Sequence, residues 1–226
     1  MRNLFRYGVD RPILTWGTLI LGAALIIFHH NYTWLLGIIL VIISFVTIWH
    51  ALSKYQLVEL VIRHCNLRTA RKILDIGTGK GFFMTHVTRA AGYVAFTTGI
   101  EDQGQDQIKK ARKNTRRERV SNRVNVIHGD VRHLPFPEAS FSLITVMDSP
   151  GNLISNRRSN GYQQVCNEII RVLKEYGRFL MIGNRKNVNR IYQYLNQQDG
   201  VQAKTLPNPQ RWNLLHWGIL TMQKND

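Results

Sequence analysis

The sequence predicts an α/β domain, a mostly parallel sheet covered on both faces by helices, with two apolar helices ahead of it. Three observations lead there. Residues 73–81, I-L-D-I-G-T-G-K-G, form an apolar strand that ends in an acid and enters three alternating glycines where a helix should begin. Further on, near-continuous apolar segments alternate with helical ones, the pattern of a parallel sheet buried on both faces. The start of the chain holds two long apolar runs instead.

Those runs cover residues 13–30 and 32–52, and neither contains Lys, Arg, Asp or Glu. A bilayer span needs roughly 20 apolar residues. A soluble helix pair would carry a polar stripe, which both runs lack. Trp16, Tyr32, Trp34 and Trp49 lie near the expected ends, where amphipathic rings favour the membrane interface. The expected organisation is a membrane hairpin over 1–52, then one domain over 53–226. Arg2, Arg6 and Arg11 precede the first run; Lys54, Arg63, Arg68, Arg71 and Lys72 follow the second. The connection between the runs has no Lys or Arg, so both termini and the domain are expected on the cytoplasmic side of the cell membrane.

The chain has 226 residues and a formal net charge of +16, which calls for an anionic neighbour. Much of that charge is concentrated in Lys109, Lys110, Arg112, Lys113, Arg116, Arg117, Arg119 and Arg123, in one predicted helix and its end. Such a run is either a solvated face or a contact for anionic lipids, favoured by the hairpin. Nucleic acid is not the expected partner, because no aromatic residue is interleaved with these charges. Cys65 and Cys166 form no C-x-x-C, and His128 and His133 beside Asp130 lack a third ligand, so no metal site is expected.

The glycine turn narrows the chemistry. A dinucleotide site wants G-x-G-x-x-G, and here the third glycine comes one residue early; a P-loop wants G-x-x-x-x-G-K-[ST], and Gly81 follows Lys80. Asp75 at the strand end would repel a pyrophosphate and suits a cationic or hydroxyl-bearing ligand. A helix is predicted over 81–91 and a second strand over 94–100, closing on Glu101. That position, about 20 residues past the turn, suits an acid that binds ribose hydroxyls. A third strand, 124–128, leads into Gly129-Asp130-Val131. Residues 134–148 give a Pro-rich loop and a buried fourth strand ending at Asp148. Residues 168–183 read as an amphipathic helix, a glycine stop at Gly177 and a fifth strand. A connecting helix is expected over 54–67, another over 187–196, and strands over 201–206 and 216–223.

With its acid followed by G-x-G-x-G and these later acids in order, the chain over about 54–226 resembles the class I, Rossmann-like methyltransferases. The resemblance implies a seven-stranded, mostly parallel sheet whose last strand is antiparallel, with S-adenosylmethionine (SAM) as cofactor. It places Asp75, Gly77, Thr78, Gly79 and Gly81 at the methionine end, Glu101 at the ribose, and Asp130 with the amide of Val131 at the adenine. Simpler roles compete: a strand-end Asp also serves as a helix N-cap, and Asp130 suits a turn acid bonded to its own backbone.

On the substrate side stand Asp148, Ser149 and Asn152, with Asp148 the candidate general base. The segment Asp148-Ser149-Pro150-Gly151 departs from the [DN]-P-P-[YFW] of amine- and base-directed relatives at two of four positions, Ser149 and Gly151, and lacks the aromatic. Over its full length the chain resembles uncharacterised prokaryotic methyltransferases with an N-terminal hydrophobic hairpin. The expected acceptor is hydrophobic or membrane-associated, a lipid or quinone. The alternatives are a protein or soluble acceptor, or a non-catalytic SAM-binding scaffold.

Overall fold

The computed structural model describes residues 12–28, 32–102, 104–147, 161–208 and 217–225. The chain divides into two compact units, Met1–Leu57 and Val58–Asp226.

Helix α1 (Pro12–Ile27) opens on a proline, whose missing N–H costs nothing in a first turn. Helix α2 runs unbroken from Thr33 to His64. The separate connecting helix expected over 54–67 is therefore the end of α2, since no Gly or Pro interrupts residues 51–64. In the first unit the helices meet along a seam of small residues. A Cβ on Gly22 would lie 2.8 Å from the Gly37 carbonyl oxygen, and one on Gly37 would lie 2.7 Å from that of Gly22, so glycine at both positions permits the close approach. One helical level away, the Thr18 and Ser44 hydroxyls lie 2.8 Å apart. Thr15 O lies 3.0 Å from the Thr18 hydroxyl and Leu40 O 2.8 Å from that of Ser44, so one hydroxyl donates across the seam while the other accepts and donates to its own helix, which satisfies both inside the seam.

The large side chains point outward. Ile20, Ile27, Phe28, Ile42, Phe45 and Val46 are all more than half exposed. Among the described residues one helix, Thr33–Arg63, is long and apolar enough to cross a bilayer. Helix α1 is shorter; at 1.5 Å per residue its 16 residues reach about 24 Å, against a hydrocarbon core of about 30 Å.

The second unit is built on a seven-stranded sheet: β1 (Lys72–Ile76), β2 (Phe96–Glu101), β3 (Val124–His128), β4 (Phe141–Met147), β5 (Leu173–Asn184), β6 (Val201–Leu206) and β7 (Trp217–Lys224), in the order β3-β2-β1-β4-β5-β7-β6. The first five strands pair in parallel, and β7 is antiparallel to both β5 and β6. Helices α3 (Phe82–Ala90) and α4 (Gln105–Arg117) make the β1-to-β2 and β2-to-β3 crossovers; α5 (Gly161–Val172) precedes β5 and α6 (Arg185–Leu195) follows it. Right-handed crossovers and the change of direction between β1 and β4 put α3 and α4 on one face and α5 and α6 on the other.

Strand alternation sorts the core accordingly. Leu74, Ile76, Ile144, Val146, Phe179 and Met181 pack with Val165, Ile169, Val188 and Ile191 of α5 and α6. The intervening positions, Asp75 and Thr145 among them, turn to the other face. The Asn184 side chain accepts from Lys186 N and caps α6.

Gly177 does not stop a helix. Helix α5 ends at Val172, where backbone N–H groups of Ala139 and Ser140 donate to the carbonyls of Arg171 and Val172. The four residues after Leu173 form a bulge: Phe141 pairs with Leu173, but Leu143 pairs with Arg178, and Tyr176 takes a positive φ of 57°. Gly177 sits inside β5, where a Cβ would come 2.6 Å from Lys174 O.

Candidate active site

The glycine turn and its two acids lie at the carboxyl ends of β1 and β2, beside the point where strand order reverses, the usual ligand position in such sheets. All three turn glycines have positive φ, at 68° for Gly77, 53° for Gly79 and 81° for Gly81, so each position requires glycine. Gly77 and Thr78 donate their N–H groups to Ile100 O, hanging the turn from β2. Asn114 of α4 donates its side-chain amide to Lys80 O at 2.9 Å and fixes the middle of the turn. Gly99 gives the turn room, because a Cβ there would collide with Thr78 Oγ1 and come 2.7 Å from Met84 Sδ.

Asp75 is buried, at 1 % exposure. It pairs in register with Thr145 on β4 and Gly99 on β2. The Thr145 hydroxyl donates to Asp75 Oδ1 at 2.6 Å and the Thr78 hydroxyl to Oδ2 at 3.0 Å. Burial pushes the Asp75 carboxyl up to about 7 against the pull of those two bonds, and the charge of Glu101 adds to the rise. Asp75 makes no N-cap bond; Gly81 occupies the N-cap of α3, without a side-chain bond.

Glu101 is 3 % exposed and accepts from Gly79 N–H at 2.5 Å, joining the end of β2 to the glycine turn. Its carbonyl oxygen accepts from Gly129 N–H and lies 2.9 Å from His128 Nδ1, linking this corner to the end of β3. The next acid is more open. The Arg132 guanidinium makes two parallel bonds to the Asp130 carboxylate, and Arg132 N–H donates to Oδ1 at 2.9 Å. Arg132 holds the Asp130 carboxyl down to about 2. The Val131 side chain is buried in the main core.

Asp75, Gly77, Thr78, Gly79, Gly81 and Glu101 thus form one bonded corner, with Asp130 and Val131 on the adjoining segment. Asp148, Ser149 and Asn152 lie outside the described residues. Thr145, Gly99 and Asn114 belong to the corner and went unmarked in the sequence. Gly99 had a signal, a glycine inside a strand, and Asn114 had another, a lone amide among basic residues. Among the described residues no group of three His, Cys, Asp or Glu converges as a metal site.

Two buried carboxylic acids beside a left-handed glycine turn are unsuited to a pyrophosphate and suited to a ligand carrying positive charge and vicinal hydroxyls. SAM has both.

Residues 73–177 match the family model described as a methyltransferase domain. An uncharacterised methyltransferase of Bacillus subtilis, YcgJ, is 31 % identical over 124 residues, covering 54 % of this chain and 44 % of the relative. The demethylmenaquinone methyltransferase of Listeria welshimeri is 29 % identical over 110 residues, covering 49 % of this chain and 43 % of the relative. The chain therefore spans less than half the length of these two relatives. The O-methyltransferase TomG of Streptomyces achromogenes, solved in complex with SAM, shares the fold with a TM-score of 0.56 at 17 % identity, over 75 % of this chain and 79 % of that one. Residues 73–177 thus match a methyltransferase-domain model, and the sheet has the Rossmann-like fold of a methyltransferase solved with SAM.

Proposed function

We propose that the whole chain is a membrane-anchored SAM-dependent methyltransferase whose acceptor is hydrophobic or membrane-associated, a lipid, a quinone or a similar molecule. The observation that carries the acceptor class is the helix pair with its polar atoms in the seam and its large apolar side chains outside. A lipid environment suits such a pair, and it concentrates the enzyme where hydrophobic acceptors are held. The name of the Listeria relative, a demethylmenaquinone methyltransferase, is in keeping with a quinone. In this reading the hairpin of residues 13–30 and 32–52 lies in the cell membrane, with the catalytic domain and both termini cytoplasmic.

The cofactor supplies a methyl group already activated by the adjacent positive sulfur. The chain's task is to align it with the acceptor, exclude water and accept a proton where the acceptor carries one. Asp75, Gly77, Thr78, Gly79 and Gly81 hold the methionine end; Glu101 takes the ribose hydroxyls, exchanging its bond to Gly79 N–H for them. Asp130 and the Val131 amide bind the adenine edge, and Asp148 is the candidate base. Anionic lipids are the proposed partner of the exposed basic side chains on α4, Lys109, Lys110, Lys113 and Arg116.

Membranes containing the full chain, incubated with SAM labelled in its methyl group, test this reading. Label in the organic extract is expected, and Glu101→Ala should abolish it. Label in precipitated protein or the aqueous phase would mean a protein or soluble acceptor. Cofactor binding with no transfer to any fraction would mean a SAM-binding scaffold.

A further inference from the structure

Asp75 carries a requirement that the simple placement of a cofactor leaves unaddressed. Its carboxyl is sealed in the sheet, its partners are the hydroxyls of Thr145 and Thr78, and a second buried acid, Glu101, stands at the end of the neighbouring strand. Lys80 on the turn, His86 on α3 and Glu101 on β2 are titratable groups of the surrounding elements, and among these only Glu101 contributes to its shift. On β4 the residue level with it is Thr145, which has no charge. A buried acid in these surroundings is half neutral near pH 7. A cation docking beside it would favour the ionised form.

We propose that cofactor binding and ionisation of Asp75 are one coupled event, in which docking of the cationic ligand expels the Asp75 proton to solvent, and that Thr145 is the positioning residue that sets the pH at which this occurs. The inference rests on the SAM reading above. Thr145 has this part because its hydroxyl donates the shorter of the two side-chain bonds, 2.6 Å against 3.0 Å, and register places it directly beside the carboxylate. Donation stabilises the charged form. Removing the donor makes ionisation harder, and affinity for a cation then requires a higher pH.

The test is calorimetric titration of the detergent-solubilised full chain with SAM from pH 6.0 to 7.5, in phosphate and in Tris. This window keeps the ligand's α-amino group, with a reference pKa of about 7.7–8.0, mostly charged. Affinity is expected to rise about tenfold across the window, with proton release seen as a buffer-dependent heat. Thr145→Val should move the midpoint upward, Thr145→Ser should restore it, and Asp75→Asn should bind with no buffer-dependent heat. A purely structural role for Thr145 would lower melting temperature without moving the midpoint, which would overturn its assignment. SAM binding with flat affinity and no proton exchange would overturn the coupling while leaving the cofactor reading intact. Failure of the folded wild type to bind SAM at any pH would overturn both.

Discussion

Asp75 has opposite effects on the folded chain and on the bound complex. Its folded-state carboxyl titrates at about 7, against an ordinary value of 3.8. A group raised on folding contributes stability that is complete below about pH 3.8 and is lost as pH rises through about 7. Asp75→Asn escapes that loss. The ligand-free variant should gain stability over wild type between pH 5 and pH 8, on the order of a few kcal/mol at most, read from melting temperatures at both values; an unchanged difference would refute the buried neutral acid. Gly99→Ala should act in the other direction. Its methyl group would displace Thr78 and Met84, at a cost of about 1–3 kcal/mol for overpacking. Because Thr78 belongs to the turn, SAM affinity should fall along with the melting temperature. The acids at strand ends were legible because each closes an apolar run. Thr145 was not, because its pairing with Asp75 depends on register between strands 70 residues apart.

Among the elements, the α1–α2 pair depends on its seam. Gly37→Leu would drive a side chain into Gly22 O and Ile26, which leaves no room at the present helix separation. Disulfide formation between Thr18→Cys and Ser44→Cys should be efficient in the parent pair, whose hydroxyls are 2.8 Å apart, and should drop at least several-fold when Gly37→Leu is added. The apolar runs themselves were evident in the sequence, but their division was not: α2 continues past Leu52 because nothing in residues 51–64 stops a helix. The end of α5 was misplaced for the converse reason. No glycine ends it; the helix is closed by N–H groups of residues 139 and 140, supplied from a separate loop.

For the whole molecule, the charge of +16 is the property to test. Not all of the basic cluster is available. Arg112 donates to Val126 O, and Arg123 donates to Thr88 O and Gly92 O, so both hold the fold of β3 and its surroundings. Replacing Lys109, Lys110, Lys113 and Arg116 with Gln should weaken binding to vesicles containing phosphatidylserine, by up to about 1 kcal/mol per residue, with little change in melting temperature. Arg112→Gln or Arg123→Gln should lower the melting temperature instead. Sequence alone indicated the parallel core of the sheet through its alternation of apolar strands and helices. The seven-strand arrangement with an antiparallel end came through resemblance, since periodicity carries no strand order.

The helix pair also separates two properties that most proteins combine. Its cohesion comes from Gly22, Gly37, Thr18 and Ser44, while its greasy exterior contributes little to holding α1 against α2. The outer surface can therefore be rewritten without disturbing the join. Polar replacements at Ile20, Ile27, Ile42 and Phe45, all more than half exposed, should leave Thr18→Cys and Ser44→Cys cross-linking across the seam as readily as in the parent pair.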